Sequence, residues 1–361
     1  MAEDTQDYSP SVGGVLDVKD FLFEKFQLPV EILDTIIDHA QYWPHTTVKT
    51  TTSTTVNSGA GHENRFIIRS YPIGFDSDQQ NLDPQQQQPI FKNNYPYTDP
   101  IPWPLERKFP QESTKSLLDL WRAKSQYRAE HPCAKIVFTT KSHDQGWGDG
   151  GNHGETYTGS YTWFDVGLEK ISAAGESGRQ TTAGLAQLAG NVPSPHFYIF
   201  NAKNITDKIS PLPVICSHRT IIPMVKEVPK DPEPVVGPDD CDPNSEDKPD
   251  LIAKKPEHEP EKMTYEFDHP LLPGTDALQK NITAKRNIQE CVITWSAWDD
   301  INPESLEANE LANKGRGSAT GTGDFVRGLV AGDVVTVWAK SRFPGWTNNV
   351  EGVQIDVYWR V

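Results

Sequence analysis

The chain has 361 residues with 29 Pro, 26 Gly, 10 Trp, 11 Tyr and 14 Phe, but only 3 Met and 4 Cys. Its 50 acidic and 34 basic side chains leave a formal charge of −16, which excludes a nucleic-acid binder because little basic surface is left to displace counterions from phosphates. No apolar run approaches the ~18 residues of a membrane-spanning helix, and the acidic start MAEDTQDYSP lacks the apolar stretch of a secretory signal.

Many rings with little Met point to a sheet core built from aromatic and β-branched side chains. Cys133, Cys216, Cys241 and Cys291 are far apart with no CxxC spacing, so the expectation is reduced thiols in a cytoplasmic or nuclear protein. The Asn204 and Asn281 sequons are then chance occurrences.

In chain order, residues 1–15 read as disordered, and two apolar stretches follow, Val15 to Phe26 and Leu28 to Ala40. In the second, Leu28, Ile32, Leu33, Ile36, Ile37 and Ala40 recur at helical spacing, with Pro29 in the first turn where its missing N–H costs nothing. The Thr- and Ser-rich tract from Thr46 reads as a flexible connector or one exposed strand. Short β-rich runs then follow at Arg65–Tyr71, Lys135–Ser142, Tyr157–Leu168, Phe197–Asn201, Val214–Pro223, Leu278–Ala284, Cys291–Ala297, Asp333–Ser341 and Val353–Val361. Short helices are expected at Ser116–Ala129 and about Pro303–Lys314.

No long helix alternates with these strands, which excludes a doubly wound parallel sheet and leaves an antiparallel, jelly-roll-like β-sandwich. Three segments interrupt it: a Gln- and Pro-rich one at 72–114, a small polar one at 172–194 and an acidic one at 226–262. The last carries 8 Pro and twelve acids against six lysines, too much charge and proline to bury a core, so it reads as a solvated disordered insert. The expected organisation is a helical segment over 1–45, a linker over 46–64 and a single sandwich domain over 65–361 with these inserts.

Chemistry concentrates in two clusters. The first, SHDQGWGDGGNHGE, presents His143, Asp144, Gln145, Trp147 and Asp149 from a loop before the chain returns through Trp163. Rings flanked by amide, acid and imidazole groups suit a sugar or peptide ligand; the competing reading makes Asp144 and Gln145 caps of their own turn and both tryptophans core. The second cluster, RFPGWTNN, is a turn expected to expose Trp346 beside Asn348. His143, Asp144, Asp149, His153 and Glu155 match no established metal spacing, so no metal is expected there. GRGSATGTG lacks the phosphate-loop spacing, no GxSxG elbow is present, and Asp299 and Asp300 are adjacent and in a strand would face opposite ways. Arg316 and Arg327 are expected to pair with Asp299, Asp300 or Asp324. No cofactor and no catalytic residue is assigned.

LPVEILDTIIDHA (residues 28–40) resembles the opening helix of an F-box, although YWPH at 42–45 stands where the later F-box helices should follow. The resemblance implies a Skp1-type adaptor as partner, contacted through Leu28, Pro29, Ile32, Leu33 and Ile36. SHDQGWG, GSYTWFD, LQKNITA, GRGSATGTGDFVR, GDVVTVWAKSRFPGW and IDVYW together resemble a filamentous-fungal family that joins such a segment to an aromatic β-rich region. That family supplies no reaction. The combined expectation is a non-enzymatic intracellular recognition protein whose sandwich binds a protein or glycan. The rivals are a stand-alone lectin-like protein and a hydrolase whose site only the fold assembles.

Overall fold

The computed structural model describes residues 10–59, 62–74, 97–99, 127–148, 156–173, 213–218, 224–228 and 264–361. The expected strand at 197–201, residues 116–126 of an expected helix, Asp149 and most of the three inserts lie outside the described residues. Residues 127–129 are not helical.

Two helices open the fold. Helix α1 (Val12–Phe26) is capped by Ser11, whose hydroxyl accepts from the Gly14 amide at 3.0 Å, and it ends at Gln27 in the left-handed region. It starts inside the stretch expected to be disordered, because Val12 and Val15 are both buried. Helix α2 (Val30–His39) follows, with Pro29 at its N-cap.

The first sheet runs β1-β12-β4-β10, from His45–Thr50, Thr347–Trp359, Cys133–His143 and Gln289–Ser296. Strand β2 (Thr54–Asn57) pairs with the early part of β12. The second sheet runs β3-β11-β5-β6, from Asn64–Arg69, Val334–Ser341, Thr162–Ala173 and Pro213–His218, and β9 (Gln279–Lys280) pairs with β5. Strands β7 (Met224–Val228) and β8 (Thr264–Asp268) pair with each other. Every pairing is antiparallel, so the chain is the mainly β sandwich its alternating patterns imply.

The core lies between the sheets. Ile136, Phe138, Ile293, Trp295, Val353, Ile355 and Val357 come from the first, and Ile68, Phe164, Val166, Leu168, Val335, Val337 and Ala339 from the second. Period-two alternation places each set on one face. Strand β11 is buried at all eight positions, so its outward Thr336, Trp338 and Lys340 are covered as well.

The expected linker over 46–64 is corrected. Thr46, Val48 and Thr50 of β1 are buried, and Val56 of β2 is fully buried. Two strands of the first sheet therefore come from the Thr-rich tract. Strand β7 likewise reaches three residues into the expected insert at 226–262. Near the C-terminus, α3 (Leu306–Asn313), capped by the Ser305 hydroxyl, and the short α4 (Asp324–Arg327) link β10 to β11. Arg327 pairs with Asp324 at 2.8 Å and donates to the carbonyls of Ala297 and Asp299, while Arg316 donates to Thr320. Among the described residues no helix is long and apolar enough to cross a membrane.

Candidate functional site

Helix α2 has apolar residues on two sides. Leu33 and Ile37, one turn apart, are buried, whereas Ile32 is 46% exposed and Ile36 is exposed one turn further on. Leu33, expected to contact a partner, is therefore a packing residue. Phe21, Phe23, Phe26 and Val30 extend the exposed set across the end of α1 and the start of α2, beside exposed Pro29 and half-buried Leu28.

The two helices are tied to each other and to the sandwich. Lys19 pairs with Asp34 at 2.6 Å and donates to the Val361 carbonyl, and Arg128 pairs with both Asp34 and Asp38. Burial acts to raise the Asp34 pKa, but hydrogen bonds and charge from Lys19 and Arg128 outweigh it and hold the carboxyl below its ordinary value. Asp38 also accepts from the Trp43 indole at 2.9 Å, and Trp43 stacks on Trp298 at 5.3 Å.

The second surface lies at one end of the sandwich, where the loop after β4 meets the β11–β12 turn. Asp144 is buried and closes that loop: one carboxylate oxygen accepts from the Gly146 amide at 2.8 Å and the other from the Ala284 amide at 2.6 Å. Burial raises its pKa despite these donors. Gln145 donates to the Trp147 carbonyl at 2.6 Å and accepts from the Thr347 amide at 3.1 Å, and His143 Nδ1 lies 2.7 Å from the Asp144 carbonyl. Asp144 and Gln145 thus brace their own turn, with His143 against the Asp144 carbonyl.

What they brace is Trp147, 57% exposed with its ring against Gly345. In the facing turn the Trp346 amide donates to the Phe343 carbonyl at 3.2 Å, and Phe343, 44% exposed, sits at φ 66°. Trp346 is half-buried, edge-on to Tyr161 at 5.1 Å, and Tyr161 also meets Phe343 at 4.6 Å. Phe343 and Gly345 were not singled out in the sequence. The RFPGW motif names the turn, but which of its rings faces outward depends on the left-handed Phe343.

Trp163 and Asn348 are corrected as ligand residues, since both are 0% exposed. The Trp163 indole donates to Asp165 at 2.9 Å under the Arg342 guanidinium. Asn348 donates to the carbonyls of Trp163 and Lys340 and accepts from Asn281, which in turn holds Ser142 and Thr162. The buried Asn281 is therefore spent on packing two sheets together, which removes it as a sugar acceptor.

Behind the turn, Lys340 and Asp165 are buried 3.6 Å apart, with His269 against the ammonium group. Burial holds the Asp165 carboxyl above its ordinary range, and burial with the charges of Lys340 and Arg342 pushes His269 down to about 2. A neutral imidazole accepting from an ammonium group is the arrangement these shifts favour. Among the described residues no group of three or more His, Cys, Asp or Glu side chains is placed to hold a metal ion. Comparison of the chain with protein-family models, with curated proteins and with solved structures finds no match.

Proposed function

We propose that this chain is a non-enzymatic recognition protein of the cytoplasm or nucleus, in which α1 and α2 dock onto a partner protein and the Trp147 end of the sandwich takes the ligand. The observation that carries the reading is the set of exposed apolar side chains, Phe23 and Phe26 at the end of α1 and Ile32 and Ile36 one turn apart on α2. Exposed apolar side chains on a pair of helices tied to the sandwich are costly to leave in water and mark an interaction surface. The F-box-like LPVEIL run supplies Ile32 and continues into Ile36, which makes a Skp1-type adaptor the partner to test.

The test is co-purification of the full chain with a Skp1-type adaptor. The wild-type chain retains the adaptor, and the double variant Ile32→Asp, Ile36→Asp loses it while melting at the same temperature. Absence of the adaptor from the wild-type eluate, or equal capture by the variant, contradicts the proposal. A stand-alone lectin is the second reading, favoured by the exposed, braced ring of Trp147.

A further inference from the structure

We infer that the Trp147 end of the sandwich binds a sugar chain bearing carboxylates, with Trp147 and Phe343 stacking on pyranose rings and Arg286 holding a carboxylate; the inference rests on reading that end as the ligand-selecting part of the protein. Three observations carry it.

The first is that the rings are exposed but fixed. Buried Asp144 and the two bonds of Gln145 hold the Trp147 loop, and the Ser341 hydroxyl, donating to the Trp346 carbonyl at 2.7 Å, holds the opposite turn. Among the described residues, two of the five non-glycine residues at positive φ, Ala284 and Phe343, flank this one loop. Strained backbone around a braced, exposed aromatic is a preorganised contact surface.

The second is that β12, which carries the chain out of the Trp346 turn, is closed on both sides beside these rings: Asn349 is paired with Thr55 of β2 on one side and with His143 of β4 on the other. A peptide adding a strand would have to use the outer edge of β2 or β10, each paired on one side only among the described residues. The rings themselves offer faces and edges rather than backbone, which suits the apolar C–H face of a pyranose.

The third is a cation with no partner among the described residues. The Arg286 stem lies over Gly146, where a Cβ would come within 1.8 Å of its Cγ, and the exposed guanidinium makes no hydrogen bond or ion pair to a described residue. Lys285 adjoins it. The guanidinium stem thus lies over the residue that precedes the exposed Trp147, where the nearby Asp144 carboxylate is already taken by the Gly146 and Ala284 amides. The planar guanidinium fork matches a carboxylate.

Titration calorimetry of the full chain with trigalacturonate, its methyl ester and hexaglutamate tests the inference. Trigalacturonate binds, the ester binds at least roughly tenfold more weakly, and hexaglutamate does not bind. Trp147→Ala abolishes binding of both sugars, whereas Arg286→Gln binds acid and ester equally, with unchanged melting in each case. The inference is overturned if trigalacturonate gives no heat, if Trp147→Ala binds as the wild type does, or if hexaglutamate binds as tightly as the sugar. Adaptor capture reports on α1 and α2 alone, so a chain that captures the adaptor and ignores the sugar contradicts only this inference.

Discussion

Gly345 adopts φ 89°, and a methyl group there would lie 2.6 Å from Cη2 of Trp147. The residue is therefore glycine for two reasons, backbone and neighbour, and Gly345→Ala is expected to cost about 1–2 kcal/mol in urea denaturation and to turn the Trp147 ring off its seat. His269 gives a second prediction at this scale. Its folded pKa is pushed from 6.5 to about 2, so the unfolded chain takes up a proton that the folded chain refuses. The stability it contributes is fully present above pH ~6.5 and is lost progressively as the pH falls below it, by about 2 kcal/mol at pH 5. Asp165, with its pKa raised, acts in the opposite direction: the folded carboxyl holds its proton longer, so its part of the stability falls as the pH rises above its ordinary value. Comparing wild type with His269→Asn separates the two, since Asp165 is present in both. The wild type should lose more melting temperature than the variant between pH 7 and pH 5, and parallel curves would contradict the assignment of a neutral imidazole.

Helix α2 shows what periodicity can and cannot tell. Its helical spacing is plain in LPVEILDTIIDHA, yet Ile32, Leu33, Ile36 and Ile37 put apolar groups on two sides, and only packing decides which side is the inner one. Adjacent substitutions read that decision directly. Ile37→Ala should cost about 2–4 kcal/mol in urea denaturation, while Ile36→Ala should stay within ~0.5 kcal/mol. Equal costs would mean that both sides are packed and that no docking face exists. Strands β4, β10, β11 and β12 were legible because apolar and polar residues alternate along them or rings and β-branched residues dominate. Strand β1 was not, because threonine fills inward positions that pattern reading reserves for apolar side chains, and β2 was not, because its four residues bury only Val56. In β1, Thr46 and Thr50 are buried on either side of Val48.

For the whole molecule, composition indicated an aromatic sandwich, and the paired sheets bear that out at the level of fold. The site was legible only in part. Trp147 is exposed, where the SHDQGWG loop left both a ligand platform and a core ring open, but Trp163, from an equally ring-rich motif, faces the covered side of the second sheet, and Asn348 is buried between the sheets. Neither fate is visible locally, because each depends on strands distant in the chain: Lys340 of β11 lies opposite Trp163 of β5, and Asn281 reaches Asn348. What unites the molecule is a sandwich that leaves exposed apolar side chains on its helices and an aromatic ring on its end loop, the two surfaces on which the proposed recognition role rests. The most direct measurement is amide hydrogen exchange of the full chain with and without a purified Skp1-type adaptor. Protection confined to peptides covering residues 21–36, with the sandwich strands unchanged, is the predicted result. Identical exchange of those peptides in both samples would contradict the account.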